Sequence, residues 1–547
     1  MKSLTARVLL YVLPFAFCLS PFAASYAQDL PLSEVKPDQT GFSVTAAAGN
    51  KLERFDLRVL DFVDDPRGFP LILMRGSGAF LDSVGGIGQG FSGSPVYIGG
   101  RLVGAISGGF PNADHRLALV TPISAMRRAA LPVSALELAL PFGEVGGATR
   151  QKNSLCLPDL GCASHFALPF SSAGLTAKAQ GLLLDGLRAK GYALELQQGS
   201  SAASNLNRPY KLEPGAAIAA QLATGDVSLG AIGTVTTVEK NQILAFGHPV
   251  FGDLRARYIA MPVYISALIG SSVVPYKVGS PIGNTPLGVF YADNPAGLAG
   301  TLGASNGIPL ELALKFGSKN LAQRISLAPV EDIYANMLLA SVSSGVEKLL
   351  TGSSPGLARL GITLEFANRA PVTLREVVTS EDVATAAGVR VALMTALIAE
   401  NPYTESRIKK ISLELEIGLY SNLRVIKLEP EKKTLKPNEL GIINVRLQSY
   451  RSSVLVKRIS YKAPSTEGTY QLRVRGAATP RPRNELENPD PWDGILTLDE
   501  LLERLKSRLK DSDLLVETMS DTPDIIGLER FDVPVTGWAY IDIVVQK

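Results

Sequence analysis

One serine of the chain has the surroundings that nucleophilic catalysis needs. Ser92 lies within residues 90–95, which read Gly-Phe-Ser-Gly-Ser-Pro. A hydroxyl attacks a carbonyl only when a base lies within hydrogen-bond reach and donors stabilise the oxyanion that forms. Gly90 and Gly93 carry no Cβ and therefore let the backbone turn sharply beside the hydroxyl. These surroundings make Ser92 a candidate nucleophile, with the backbone N–H groups of Gly90 and Ser92 as a candidate oxyanion hole. The alternative is a glycine-rich hairpin without chemistry.

Three histidines are available as the base. His248 follows an apolar strand and lies between Gly247 and Pro249, at a corner from which an imidazole can face a cleft. His115 lies in a polar turn, and His165 lies close to a pair of cysteines. We therefore predict His248 as the general base, with a buried structural histidine as the alternative.

A longer stretch around the serine resembles a known family. Residues 85–96 (GGIGQGFSGSPV) and the following residues 99–105 (GGRLVGA) are similar to the nucleophile segment of the SpoIVB-type serine peptidases. The Gly-His segment at His248 is similar to the segment in which that family carries its general base. The resemblance implies a trypsin-like fold of two barrels, with Ser92 as the nucleophile of a serine peptidase and a protein or peptide as its substrate.

Two features depart from the family pattern. The histidine follows the serine along the chain instead of preceding it, which indicates a permuted arrangement with the serine-bearing barrel first. The position of the family's acidic residue is occupied by Ser77. Asp293, Asp253 and Asp82 are therefore the candidates for orienting the imidazole, and we prefer Asp293 because it follows a strand of the same predicted barrel as His248. A Ser–His dyad and an inactive site stay open.

Charge and composition exclude other classes of function. The 54 Lys and Arg residues nearly balance the 51 Asp and Glu residues, so the net charge is +3 and no basic field favours a nucleic-acid partner. The glycine-rich residues 297–303 lack the Lys-Ser/Thr of a phosphate loop, so we predict no nucleotide and no other cofactor. Cys156 and Cys162 bracket a short stretch that contains Pro158 and Gly161, which predicts a small disulfide loop, with two reduced surface thiols as the alternative. No second ligand pair lies nearby, so we predict no metal site.

The first residues have the pattern of a signal peptide. Lys2 and Arg7 precede an apolar run that ends in residues 25–27 (Ser-Tyr-Ala), with small residues where a signal peptidase acts. We predict cleavage after Ala27, export to the periplasm or the medium, and no membrane span in the mature chain. An uncleaved N-terminal anchor is the alternative. Export to an oxidising compartment also favours the disulfide.

A chain of 547 residues is too long for a single core. Short apolar runs with abundant Gly and Pro favour a mainly β fold of two small antiparallel barrels, helical connecting segments and a C-terminal immunoglobulin-like sandwich. Helical spacing predicts helices over residues 175–190, 333–349, 385–400 and 496–510. The predicted divisions are a signal peptide (1–27), a serine-bearing barrel (28–135), a linker region with the disulfide loop and a helix (136–210), a histidine-bearing barrel (211–328), a helical and β connecting region (329–410), and a sandwich with a C-terminal helix (411–547).

Two functions of different classes follow from these patterns. The first is an exported serine endopeptidase that cleaves envelope or secreted proteins by acyl transfer at Ser92. The second, motivated by Ser77, is a catalytically inactive binding or scaffold protein of the cell envelope. In either case we expect the sandwich to bind an envelope protein or to brace the barrels. The separation of the Ser92 and His248 side chains discriminates the two functions, because acyl transfer requires about 4 Å or less.

Overall fold

The computed structural model has the mainly β character that the sequence predicts, with 51% of the residues that it describes in strands and 17% in helices. The structure describes residues 28–65, 68–110, 114–130, 155–157, 161–165, 170–192, 194, 196–198, 208–252, 256–271, 274–303, 307–479, 494–519 and 524–547. The predicted signal peptide lies outside these residues. Within them, no helix is both long enough and apolar enough to span a bilayer.

The first sheet contains a closed barrel. Its strands are β1 (Thr40–Ala48), β2 (Lys51–Val63), β3 (Leu71–Ser77), β4 (Pro95–Ile98), β5 (Arg101–Gly109), β6 (Leu117–Pro122), β7 (Leu155–Leu157) and β8 (Gly161–His165), and it carries the short helices α1 (Ala79–Val84) and α2 (Ile123–Ala129). Six strands pair in the order β4-β1-β2-β3-β6-β5, and β5 pairs back to β4. Alternate residues of β2, Phe55, Leu57 and Val59, are buried, so the barrel interior is apolar.

The hairpin of β7 and β8 continues this sheet from the end of β5. Gly108 lies opposite His165, and Gly109 lies opposite Ser164. Within the hairpin, Cys156 lies directly opposite Cys162. Opposed residues of an antiparallel pair have Cα atoms about 4.5–5.5 Å apart, which is within the range of a disulfide. The backbone register therefore suits the disulfide, whose formation stays a prediction.

The second sheet, here called the long sheet, has fourteen strands. They are β9 (Phe170–Ala173), β10 (Leu196–Gln198), β11 (Ala217–Gly225), β12 (Ser228–Glu239), β13 (Gln242–Ala245), β14 (Tyr258–Ile269), β15 (Tyr276–Pro281), β16 (Gly288–Asn294), β17 (Gly297–Leu302), β18 (Ile308–Phe316), β19 (Lys319–Leu327), β20 (Gly356–Phe366), β21 (Val372–Ser380) and β22 (Ile408–Gly418). Strands β12-β13-β17-β16-β14-β11 pair in that order, and β11 also pairs with β12. These six strands thus form a closed circuit of hydrogen bonds, and the chain that leads to His248 follows β13.

The long sheet continues beyond this circuit through β19 and β18, and then through β22, which pairs parallel with β18 and antiparallel with β20. Helices α3 (Ala177–Ala189), α4 (Glu331–Leu350) and α5 (Val383–Ala399) pack against it. Three of the predicted helices are therefore confirmed to within a few residues.

Two further sheets, here called the C-terminal sheets, complete the chain. Their strands are β23 (Leu423–Pro430), β24 (Thr434–Leu435), β25 (Leu440–Gln448), β26 (Val454–Lys462), β27 (Gly468–Gly476), β28 (Asp513–Thr518), β29 (Ile525–Arg530), β30 (Val535–Thr536) and β31 (Trp538–Val545). The sheets, β26-β25-β23-β30 and β24-β31-β27-β28-β29, bury apolar residues in one shared core. The immunoglobulin-like topology stays a prediction.

The fourth predicted helix is α6 (Leu498–Ser507). A capping box starts it, because the Thr497 hydroxyl accepts from the Glu500 amide while the Glu500 carboxylate accepts from the Thr497 amide. Its buried leucines, including Leu501 and Leu505, belong to the core of the second sheet and not to the core of the C-terminal sheets. The helix therefore packs against the long sheet.

Candidate active site

The serine lies on a turn that two glycines make possible. Gly90 and Gly93 have φ angles of 86° and 94°, in the left-handed region that favours glycine. A Cβ at Gly93 would overlap the Thr234 carbonyl oxygen and the Phe246 amide nitrogen. The turn is tied to β5, since the Gly93 amide donates to the Ile106 carbonyl over 2.7 Å. Close approach of the first barrel to β12 and β13 therefore depends on glycine at position 93.

The histidine lies at a corner with unusual backbone geometry. Phe246 has a φ of 70°, which is uncommon for a residue other than glycine, and Gly247 follows with a φ of 66°. The Phe246 ring is buried and packs edge-on against Phe290, with centroids 6.0 Å apart. On the other side, the Thr121 hydroxyl donates to the Gly247 carbonyl over 2.7 Å. Packing and this hydrogen bond hold the corner in its sparsely populated conformation and direct His248 towards the serine.

Strand β12 joins the serine turn to the second sheet. The Thr234 amide donates to the Ser92 carbonyl over 2.8 Å, and the Thr234 hydroxyl donates to the Gly90 carbonyl over 2.9 Å. The Thr236 hydroxyl donates to the Gly93 carbonyl over 2.8 Å. Three carbonyls of the turn are therefore bonded to one strand of the sheet that carries His248, so the positions of the two side chains are coupled.

The structure brings Ser92 and His248 into direct contact. The Ser92 Oγ lies 2.8 Å from the His248 Nε2, although the residues are 156 positions apart. The His248 Nδ1 lies 2.8 Å from the Pro249 carbonyl oxygen. Because a carbonyl can only accept, Nδ1 carries the proton, and in the neutral ring Nε2 is then the acceptor for the serine hydroxyl. This is the tautomer that a general base requires.

Both side chains are enclosed. Ser92 is 0% exposed and His248 is 2% exposed. A polypeptide carbonyl therefore reaches the Ser92 Oγ only after neighbouring groups move aside, and the conformation described here is a closed one.

The predicted oxyanion donors are two backbone amides of the serine turn. Within the part of the chain that the structure describes, the amides of Gly90 and Ser92 donate to no protein acceptor. The carbonyls on the opposite side of the same two peptide groups are anchored: Gln89 O accepts from Lys277 N over 3.1 Å, and Phe91 O accepts from Ser94 N over 2.9 Å. Since a trans peptide directs its N–H away from its C=O, these bonds fix the direction of both donors.

Asp293 holds the segment that follows the histidine. Its carboxylate accepts hydrogen bonds from the amides of Val250, Phe251 and Gly252 and from the Tyr258 hydroxyl, at 2.7–2.9 Å. Complete burial raises the pKa of Asp293 to about 6, although these hydrogen bonds act to lower it. The four contacts place Asp293 at the backbone after His248, and its role as a third catalytic member stays a prediction.

The other carboxylate candidates lie elsewhere or outside the described residues. The Asp82 carboxylate forms an exposed ion pair with Arg116, with an O–N distance of 2.7 Å. Asp253 lies outside the described residues. Ser77 is exposed at the end of β3, on the strand position opposite Asp56.

The backbones of the other two histidines lie elsewhere in the first sheet and its loops. His115 is half-buried near α1, where its carbonyl accepts from the Ile87 amide. His165 ends β8, and its backbone lies opposite Gly108 at the edge of β5. Of the three histidines, the structure therefore brings the predicted one to the serine.

Lys277 is the residue near the site that the sequence reasoning missed. It is completely buried on β15, and its Nζ lies 2.6 Å from the Thr45 hydroxyl and 3.3 Å from the Thr234 hydroxyl. Burial lowers its pKa from the ordinary value of 10.5 to about 7. The signal that could have located it is the alternation of side chains along β15, which places Lys277 and Gly279 on the inward face.

The described residues contain no group of three or more His, Cys, Asp or Glu side chains arranged to hold a metal ion. The groups described at the site are the Ser92 hydroxyl, the His248 imidazole and the backbone amides of Gly90 and Ser92. Comparisons with family models, curated proteins and solved structures found no match to this chain. The resemblance to the SpoIVB-type peptidases therefore stays a prediction based on the segments around Ser92 and His248.

Proposed function

We propose that the protein is a serine peptidase that cleaves a protein or peptide by acyl transfer. The observation that carries this proposal is the 2.8 Å contact between Ser92 Oγ and His248 Nε2, with the ring tautomer fixed by the Pro249 carbonyl. A nucleophile bonded to a base that is itself oriented by a third group is the arrangement on which activated hydroxyls depend. Here the third group is a carbonyl oxygen.

The reaction follows from the positions of the donors and acceptors. As Ser92 Oγ attacks the scissile carbonyl, its proton passes to His248 Nε2, and the carbonyl oxygen becomes an oxyanion held by the amides of Gly90 and Ser92. The imidazolium then returns the proton to the leaving amine, and the peptide C–N bond breaks. Water, deprotonated by the same imidazole, hydrolyses the acyl-serine and restores the hydroxyl.

The finer features of the fold and location belong to the same proposal. Ser92 lies beside a closed six-stranded barrel and His248 follows a strand of a six-stranded circuit, an arrangement that suits a permuted trypsin-like pair. The signal-peptide pattern before residue 28 favours export and an envelope or secreted substrate. The C-terminal sheets offer strand edges and loops for an envelope partner.

A fluorophosphonate probe tests the proposal directly, because it phosphonylates only an activated serine. We expect the folded wild-type protein to be labelled on the peptide that contains Ser92, as determined by mass spectrometry, and S92A to lose labelling completely. The matched control is S83A, which removes a nearby exposed hydroxyl that donates to the Phe80 carbonyl. It should be labelled like the wild type. A folded wild-type protein that resists the probe at neutral and mildly alkaline pH would overturn the proposal.

A second function is favoured by Ser77, which stands where the related family has an acid, and by the four contacts that engage Asp293. This alternative is an inactive peptidase-like scaffold of the envelope. Profiling of new protein N-termini in cells that carry wild-type or S92A protein separates the two. Cleavage products that depend on Ser92 support the peptidase, whereas identical profiles together with an unlabelled serine support the scaffold.

A further inference from the structure

A buried lysine lies beneath the serine turn, and its contacts within the part of the chain that the structure describes include no carboxylate. Among the described residues, the neighbours of the Lys277 Nζ are the hydroxyls of Thr45 and Thr234 and the ring of Phe91, whose centroid is 5.0 Å away. A buried lysine without a counter-ion is costly to fold. Such a residue calls for an explanation beyond packing.

The side chain of Lys277 is connected to both flanks of the nucleophile. Through Thr234, whose hydroxyl donates to the Gly90 carbonyl over 2.9 Å, it reaches the residue two positions before Ser92. Through Thr45, which accepts from the Ser94 hydroxyl over 2.9 Å, it reaches the residue two positions after Ser92. One amino group thus links the two ends of the turn.

The lysine also contacts the peptide group between Gln89 and Gly90, which carries a predicted oxyanion donor. Its amide donates to Gln89 O, the carbonyl of the peptide whose N–H belongs to Gly90. Its methylene groups fill the space beside Gly90, because a Cβ there would lie 2.9–3.0 Å from the Cβ, Cγ and Cδ of Lys277. Rotation of this peptide would remove the Gly90 N–H from the oxyanion position, and Lys277 opposes that rotation through both its amide and its side chain.

We propose that Lys277 is a positioning residue that holds the 89–90 peptide and the Ser92 turn in the orientation needed to stabilise an oxyanion. This inference rests on the proposed peptidase function. The lysine acts through Thr234 and Thr45 and does not itself bind substrate. An amine that has lost its proton still has two N–H donors, so it can hold both hydroxyls in either charge state.

The test is the kinetics of fluorophosphonate labelling in K277M. Methionine approximates the shape of the lysine stem, and both threonine hydroxyls keep a partner, so we expect K277M to fold with a melting temperature no lower than that of the wild type. Because K277M keeps the backbone amide and an unbranched stem, it removes only the contacts of the amino group with Thr45 and Thr234. The labelling rate at saturating probe should fall by up to about 100-fold, the effect of losing one oxyanion donor. The probe concentration for half-maximal rate should change by less than about twofold, since the lysine does not contact the probe.

Threonine variants provide a test that does not require substitution of the lysine. T234V keeps the shape of Thr234 but removes the hydroxyl, whereas T234S keeps the hydroxyl, so we expect slow labelling of T234V and near wild-type labelling of T234S. The matched control is T237V. Thr237 lies on the same strand, and its hydroxyl donates to the Glu239 carboxylate over 3.3 Å instead of to a carbonyl of the turn. This variant should be labelled normally.

The outcomes separate the two proposals. A labelled wild type with equally fast labelling of folded K277M and T234V would overturn the role of Lys277 and leave the peptidase standing. A wild type that resists the probe overturns both. If K277M does not fold, the difference between T234V and T234S decides.

Discussion

Two sets of buried ionisable groups in this protein have different kinds of partner. In the C-terminal sheets, Arg473 and Arg475 face one carboxylate, that of Glu517, with N–O distances of 2.8 and 2.9 Å. Burial alone would raise the pKa of Glu517, but the hydrogen bonds and charges of the two arginines hold it below its ordinary value. Opposite charges thus stabilise one another inside the sheet pair.

Around the serine turn, the buried groups are not matched in this way. The described neighbours of Lys277 are hydroxyls and a ring, and burial lowers its pKa to about 7. Asp293, also buried, accepts from amides and a hydroxyl, and burial raises its pKa to about 6. The pKa values of the two groups are moved towards neutrality, which is typical of functional sites, whereas the pairs around Glu517 have a structural character.

The largest effect on activity is expected when His248 is replaced. H248A removes the proton acceptor for Ser92, so we expect the rate of fluorophosphonate labelling of the folded variant to fall by about 1,000-fold or more. H115A is the control, because the contacts described for His115 are with Gly86 and Ile87, and its labelling should match the wild type. Labelling of H248A at the wild-type rate would show that His248 is not the base.

Neutralisation of Glu517 should lower the stability of the protein and leave the labelling of Ser92 unchanged. E517Q takes away the charge that faces two buried guanidiniums, so we expect the free energy of unfolding to drop by about 3–5 kcal/mol. Labelling of the protein that remains folded should be unchanged. The measurement is denaturant unfolding followed by labelling well below the transition.

A surface ion pair between the two C-terminal sheets gives the matched control for that variant, because its glutamate lies on β29, next to the strand that carries Glu517. Glu529 lies 2.7 Å from the Lys457 ammonium in a partly exposed ion pair. E529Q should cost only about 0–1 kcal/mol, because exposed pairs contribute little. Equal losses of stability for E517Q and E529Q would contradict the structural role that we assign to the buried cluster.

The difference in stability between K277M and the wild type should depend on pH. The pKa of Lys277 is about 7 in the folded protein, against an ordinary value of 10.5, so between these values the unfolded chain binds more protons. The cost of the buried charge is therefore full below pH 7 and disappears as the pH rises through 10.5. We expect the melting temperature of K277M to exceed that of the wild type most at neutral pH and the gap to narrow in alkaline buffers. A gap that stays constant would mean that the lysine has an ordinary pKa in the fold.

Much of the local structure could be predicted from the sequence, because it depends on local patterns. Apolar spacing locates α4 and α5, and turn residues separate β4 from β5 at residues 99–100. The glycines around Ser92 indicate a sharp turn, and the Gly-Pro corner selects His248 from three histidines. These features are set by residues within a few positions of one another.

The parts that could not be predicted depend on pairings across long stretches of chain. Lys277 comes under the serine turn because β15 meets Gln89, a register that nothing near either residue specifies. The left-handed conformation of Phe246 is imposed by packing and not by its own preference. Likewise, β22 belongs to the long sheet through its parallel pairing with β18, which lies about a hundred residues earlier.

The parallel pairing of β18 with β22 has a practical consequence for anyone who wishes to isolate the site. A fragment that ends after β19 would contain Ser92, His248 and Lys277, but it would leave seven residues of β18, Leu310 to Phe316, without the strand that they pair with. An uncovered strand of that length invites self-association of neighbouring molecules. The shortest soluble piece that carries the site should therefore extend through Gly418 and keep the helices that cover the long sheet.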